Sequence, residues 1–368
     1  MLNHCDVLSY LLEKNWLDRS HLIQDSFQIA SLSRRNWNYK VVSDQSPCYF
    51  LKQGEGDIDL GTVQHEASIY QLFQEESSSK LTRYLPHYYD YASTQKILVI
   101  EFIPNAEDLR SYQIKRGKFP KYIGAQMGAA LAALHGQRGD ALDSDLNMES
   151  LGFPDCTPWV FDAYQPNLNA LRTISEANIK IFKMIQDQSI FRDSLHILSQ
   201  SWEQKALIHG DIKFDNFIAH SSPGNKRQAQ IKLLDWEFAG IGDPCWDVGS
   251  VFSDYLKMWI FSIPITGEIP PAQFGQLAEY PLEKMRGAMN SFWSTYRRQM
   301  SLDDDTADRV LLKSVQMAAA RLVQTALEFT DTGRLTSTII CLLQLSLNIF
   351  KKPEQATAHL LGIPWSAS

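Results

Sequence analysis

The sequence predicts an α+β fold in two unequal parts, a small sheet-rich part followed by a larger, mainly helical one. Two observations carry this. Up to about residue 103, short runs of strand-forming residues are bounded by polar turns, the pattern of half-buried strands. Beyond residue 104, apolar residues recur at three- and four-residue spacing in longer Ala- and Leu-rich segments, the pattern of amphipathic helices. The expected division is therefore 1–103 and 104–368.

Residues 4–17 read as a short amphipathic helix. Three strand-like runs follow, FQIASL (27–32), NYKVVS (38–43) and CYFLKQ (48–53), joined by short polar turns. After the loop GEGDIDLG, residues 62–76 place Val63, Ala67, Tyr70 and Leu72 or Phe73 at helical spacing. HYYDYAS (87–93) and KILVIEFI (96–103) are two further strands, the second closed by Pro104 and Asn105. In the helical part, residues 122–136 read as a helix with Gly136 as its C-cap. Residues 158–202 read as two or three helices. Three apolar runs, ALIH (206–209), NFIAH (216–220) and QIKLLD (230–235), then form a strand–loop–strand insert within the helical part. Residues 246–262, 280–299, 304–329 and 335–351 return to helical spacing, and Ser301 with Asp304 resembles a capping box that opens the third of these.

Charge and composition exclude several classes. With 44% hydrophobic residues the chain can bury a core, and it is not of the disordered type. A net charge of −7 without a long basic run argues against nucleic acid or an anionic membrane as partner. Cys5, Cys48, Cys156, Cys245 and Cys341 are odd in number and contain no C-x-x-C, which speaks for reduced thiols rather than a disulfide framework or a zinc site. The start lacks the basic and apolar regions of a signal peptide. The apolar tract near 255–265 is broken by Lys257 and Pro264, and that at 337–350 is too short to span a bilayer. A soluble, cytoplasmic protein is expected.

The chemistry concentrates in LIHGDIKFDNFIAH, residues 207–220, where a His, two Asp, a Lys and an Asn stand between apolar flanks. Nineteen residues after Asn216, the apolar run IKLL ends in Asp235, followed by Trp236 and Glu237. Two strands would thus deliver Asp211, Asn216 and Asp235 to one edge. Mg2+ takes hard oxygen ligands, usually one or two carboxylates with phosphate and water. Asn216 and Asp235 supply such oxygens. Asp211 is left to orient an attacking hydroxyl and receive its proton, and Lys213 places a cation near the phosphate in transfer.

H-x-D-x-x-x-x-N followed about twenty residues later by an apolar strand ending in Asp resembles the catalytic core of protein-kinase-like enzymes. The HGD form, with D-W-E in place of D-F-G, is similar to the aminoglycoside phosphotransferase and choline kinase branch, as are LAALHG (131–136) and GDPCWDVGSVF (242–252). The resemblance spans roughly residues 27–262 by motif. It implies a two-lobed protein-kinase-like fold, with a small antiparallel-sheet N-lobe (1–103) and a larger, mainly helical C-lobe (104–368). It implies ATP and Mg2+ as cofactors and a small hydroxylated molecule as acceptor. Lys52, ending the third strand, would hold the α- and β-phosphates and Glu66 on the next helix would fix its direction. Glu101 and Ile103 would meet the adenine edge through their backbone, and Asp247 would brace the catalytic loop. His209 is read as structural, packed under that loop. One element departs from the pattern: the loop between the first two strands, SLSRRNWNYKVV, has no glycine, and Arg34 or Arg35 would have to supply charge where amides usually meet phosphate. Asp254, Glu328 and Asp331 are candidate partners for a cationic or polyhydroxyl acceptor. Two alternatives stay open, a kinase of peptide hydroxyls, suggested by Lys213, and a nucleotide-binding regulatory module without turnover, suggested by the glycine-free loop. Against the first, D-W-E and G-D-P begin only seven positions apart, leaving little room for a peptide platform.

Overall fold

The computed structural model describes residues 3–23, 26–32, 37–44, 47–54, 60–75, 79–136, 156–165, 175–222, 225–264, 276–330 and 334–365. By packing, the chain forms two compact units, residues 1–109 with 215–239, and residues 110–214 with 240–368. The stretch read as an insert in the helical part thus packs, from residue 215 to 239, with the sheet-rich unit.

The first unit is built on five antiparallel strands, β1 (Gln28–Ser31), β2 (Trp37–Val42), β3 (Tyr49–Gln53), β4 (Tyr88–Ala92) and β5 (Ile97–Glu101), in the order β1-β2-β3-β5-β4. All five expected strands are present. Helix α1 (His4–Glu13) is opened by Asn3, whose side chain accepts from the Cys5 and Asp6 amides, while the Asp6 carboxylate accepts from the Asn3 amide. It ends earlier than its apolar spacing suggests because Asn15 turns left-handed at φ 57°. Its Val7, Tyr10 and Leu11 pack with Tyr39, Val41, Tyr49, Leu51, Ile97 and Val99 as one buried cluster. Strand alternation then sends Lys52 to the opposite side from Leu51. Helix α2 (Leu60–Glu75) buries Val63, Ala67, Tyr70 and Phe73. A second sheet, β6-β8-β9, joins Glu107–Asp108 (β6) to Phe217–Ser222 (β8) and Asn225–Leu233 (β9).

The second unit contains α3, which begins at Leu109 and ends at Arg116, then α4 (Lys121–His135), α5 (Glu176–Asp187), α6 (Ser189–Gln200), the pair β7 (Ala206–Ile208) and β10 (Gly240–Gly242), and α7 (Pro244–Phe261), α8 (Leu282–Gln299), α9 (Asp304–Phe329), α10 (Ser337–Lys351) and α11 (Pro353–Ala356). Small residues set its closest approaches. A Cβ at Gly124 would lie 2.1 Å from the Ala288 carbonyl oxygen, one at Gly128 2.3 Å from that of Phe292, and one at Gly249 2.5 Å from that of Ser314, so α4 on α8 and α7 on α9 meet backbone to backbone. One expected cap holds and one differs. Asp303, not Ser301, caps α9, its carboxylate accepting from the Thr306 amide at 2.8 Å, while Ser301 sits in the turn before it at φ 54°. Gly136 is the C-cap of α4 as expected, its amide donating to the Ala132 carbonyl at 2.9 Å, and at φ −85° it takes this place in a right-handed conformation. Among the described residues no helix is long and apolar enough to cross a membrane.

Candidate active site

In the first unit, the site grows from the end of β3. Lys52 is buried, and its ammonium donates to Glu66 Oε2 at 2.7 Å and to Asp235 Oδ1 at 2.9 Å. Burial opposes its charge, but Glu66 and then Asp235 outweigh burial and raise the amine well above its ordinary range. Glu66 comes from the buried face of α2, and the same helix holds the segment that carries Asp235. The Phe73 ring packs on that of Trp236 with centroids 6.1 Å apart, and His65 Nε2 lies 2.6 Å from the Ala239 carbonyl oxygen. Asp235 itself stands at φ 67°, ψ 64°, a left-handed conformation that Asp tolerates better than most residues, and it opens the tight turn Trp236–Phe238. Asn216 is buried at the start of β8, and its carbonyl accepts from the Leu234 amide at 2.8 Å, which sets it beside the end of β9 where Asp235 follows. One cation against two carboxylates leaves the cluster with an excess negative charge. That field shows on Tyr70, whose phenol is pushed up first by burial and then by Glu66 and Asp235.

In the second unit, β7 ends at Ile208 and the chain turns through Gly210 at φ 78°. Asp247, fully buried near the start of α7, braces this turn: Oδ2 accepts from the His209 amide at 2.7 Å and Oδ1 from the Gly210 amide at 3.1 Å. His135 Nε2 lies 3.2 Å from Asp247 Oδ2, and Trp246 Nε1 donates to the Gly210 carbonyl at 2.9 Å. His209 is fully buried, with Nδ1 accepting from the Asp211 amide at 3.3 Å. Beyond it, Ile212 and Phe214 are buried, and the alternation leaves Asp211 and Lys213 together, Lys213 Nζ at 2.5 Å from Asp211 Oδ2. The other carboxylate oxygen takes Arg321 Nη2 at 2.7 Å. Burial would raise the Asp211 carboxyl, yet Arg321, then Lys213, and more weakly His209, lower it below its ordinary range.

The structure thus brings Lys52, Glu66 and Asp235 into direct contact and sets Asn216 against the same ladder end, while Asp211 and Lys213 form a pair of their own. The ammonium of Lys213 rests on Asp211. At the end of β5, the Glu101 amide donates to the His87 carbonyl at 2.7 Å and its carboxylate accepts from the His87 amide at 3.1 Å; the Ile103 carbonyl accepts from Ala106. Asp254 accepts from the Phe214 amide at 2.5 Å and pairs with Lys257, so it anchors the loop that carries Asp211. Glu328 accepts from Gln324 Nε2 at 2.9 Å. Ser33 to Asn36, the glycine-free turn with its two arginines, and Asp331 lie outside the described residues.

The model of the phosphotransferase enzyme family matches residues 27–286. The chain belongs to this family. It is a phosphotransferase enzyme. Among solved structures, macrolide 2′-phosphotransferase type I is similar with a TM-score of 0.50 at 13% identity, over 95% of this chain and 98% of that one, which shows the shared kinase-like fold. The GDP complex of aminoglycoside 2′-phosphotransferase-IIIa gives 0.49 at 14% identity over 96% and 100% of the two chains. Choline kinase from Streptococcus pneumoniae gives 0.48 at 15% over 94% and 99%. A comparison with curated proteins finds no match.

Within this phosphotransferase one side chain at the site escaped the sequence reading. Arg321 lies far from the HGD segment, on α9, and is buried. A signal for it exists: it is a full charge inside the apolar run AAARLVQTALEF, and a buried arginine needs a carboxylate partner.

Proposed function

We propose that this chain transfers the γ-phosphate of ATP, with Mg2+, to the hydroxyl of a small molecule. The observation that carries the reading is the Lys52 ammonium held between Glu66 at 2.7 Å and Asp235 at 2.9 Å. A protonated amine aimed by one carboxylate suits the α- and β-phosphates, and Glu66 fixes its direction. Glu101 and Ile103 would offer backbone groups to the nucleotide base.

The residues fit the metal. An amide oxygen from Asn216 and a carboxylate from Asp235 are the hard donors Mg2+ takes alongside phosphate oxygens and water, and the net negative charge of the Lys52 cluster favours a cation there. Among the described residues no three His, Cys, Asp or Glu side chains gather as a metal centre, and a site completed by phosphate and water needs none. When bound, Mg2+ would neutralise charge on the phosphate oxygens. Asp211 orients the acceptor hydroxyl and takes its proton as the new P–O bond forms and ADP leaves with the old one. Lys213 is the cation nearest Asp211 along the chain and would turn to the phosphate in transfer. Positioning and charge carry the catalysis, since the transferred group needs little covalent help. None of the five cysteines stands in a disulfide, and we place the chain in the cytoplasm; the reading calls on no nucleic acid or membrane.

The test is release of nucleoside diphosphate over a panel of hydroxylated small molecules, with ATP and GTP, in wild type and Asp211→Asn. MgATP should stabilise both proteins thermally while transfer falls by orders of magnitude in the variant. Equal behaviour of the two, with no turnover in either, would point to a binding module instead.

A further inference from the structure

Asp211, the group that must receive the acceptor's proton, is covered. One of its oxygens takes Arg321 Nη2 at 2.7 Å and the other Lys213 Nζ at 2.5 Å. Arg321 stands on a polar stripe of α9 at positions i, i+3 and i+7, with Gln324 and Glu328, in the mostly apolar second half of the helix. Its guanidinium carbon lies 5.9 Å from the Trp246 ring, and Nη1 reaches Glu328 only at 3.5 Å. Gln324 gives its amide hydrogens to Glu328 at 2.9 Å, which points its buried Oε1 the other way, where it has no hydrogen-bond partner. The stripe therefore holds one planar cation and one buried acceptor without a donor.

We propose that Arg321 reads an oxyanion on the acceptor, so that the small alcohol phosphorylated here also carries a carboxylate or a phosphate. This rests on the reading of Asp211 as the acceptor-facing base. A guanidinium matches an oxyanion with two parallel N–H donors and holds it better than a point charge does. An anionic acceptor also offers Arg321 an alternative to Asp211, freeing one oxygen of the base for the hydroxyl. The acceptor's anion competes for Arg321 with the two carboxylates that face it, Asp211 from the loop and Glu328 from α9.

The experiment pairs alcohols that differ only in charge, such as glycerate with glyceramide and glycerol phosphate with glycerol, and adds choline and an aminoglycoside. Wild type should prefer the anionic member by roughly ten- to a hundredfold in kcat/KM, the worth of a charge-assisted hydrogen bond. In Arg321→Gln that preference should collapse through KM for the acceptor, with Arg321→Lys recovering part of it, while KM for ATP stays in place. The acidic limb of the pH–rate profile should move up in Arg321→Gln, since Lys213 is then the one ammonium or guanidinium left on the Asp211 carboxylate. Calorimetry of the same acids with a non-hydrolysable ATP analogue decides the matter even where none is turned over: binding must be present and must depend on Arg321. The carboxylate and phosphate arms separate the two oxyanions. Preference for a cationic or neutral acceptor, absence of Arg321-dependent binding, or equal loss on both members of each pair overturns the inference and leaves the kinase reading standing. That reading fails separately, if Asp211→Asn leaves ATP turnover unchanged.

Discussion

Replacing Asp247 with Ala removes both oxygens that hold the His209 and Gly210 amides at 2.7 and 3.1 Å, two and one positions before Asp211. Hydrogen bonds to a charged acceptor contribute about 1.5–3 kcal/mol each, and two buried donors would lose theirs at once, roughly 3–6 kcal/mol in all. Some of this returns, because a buried carboxylate no longer has to be kept from water, which leaves a net loss of about 2–4 kcal/mol. Asp247→Asn keeps the shape and one oxygen but turns an NH2 toward one of the two amides, so about half of that loss is expected. Urea unfolding reads the stability, and mass-spectrometric hydrogen exchange on a peptide covering 205–214 reads the loop itself. Turnover should fall in step, since a displacement of about 1 Å of a reacting group can cost about a hundredfold. KM for ATP should move little, because the Lys52 cluster belongs to the other unit. Asp247→Ala within about 0.5 kcal/mol of wild type, with unchanged exchange at 205–214, would refute the bracing argument.

Glu66→Gln should raise KM for ATP by about tenfold or more in steady-state kinetics, since Lys52 then keeps only Asp235 as a charged partner. Gly249→Ala should cost about 1–3 kcal/mol in thermal unfolding, because its Cβ would lie 2.5 Å from the Ser314 carbonyl oxygen and 2.8 Å from the Ala318 amide nitrogen. The Asp211 carboxyl titrates lower folded than unfolded, so the stability it contributes is full above about pH 4 and is lost as pH falls through the folded value. In Arg321→Gln the folded value rises toward the unfolded one, so this pH-dependent contribution should shrink, read as urea midpoints through the acid range. Ser250→Ala should be neutral or slightly stabilising by the same unfolding assay, since the buried hydroxyl has no partner to lose.

The sheet was legible because its strands carry their period openly: Leu51 faces the α1 core and Lys52 the other way, as two-residue alternation demands. The Lys52–Glu66 contact was legible for the same reason, once a helix was placed after the third strand. Asp211, Asn216 and Asp235 stood out as polar groups at the ends of apolar runs. Arg321 did not, because a helix of this length allows several faces and only packing decides which charge meets the loop. Ser301 misled because it stands three before an acid, while the nearer Asp303 reaches the free amide of Thr306. The β6-β8-β9 sheet was missed because the two residues of β6 leave no periodic trace.

The sheet-rich unit is made of two stretches, 1–109 and 215–239, with 105 residues of the other unit between them. As the chain leaves the ribosome, α1 and β1 to β5 emerge long before β8 and β9 arrive to complete their partner β6. The metal-binding carboxylate proposed at Asp235 travels on that late stretch, so the nucleotide end of the enzyme cannot mature until the helical unit is well under way. Cutting the gene at residue 109 would therefore not yield an ATP-binding fragment; a fusion that restores 215–239 to its end should.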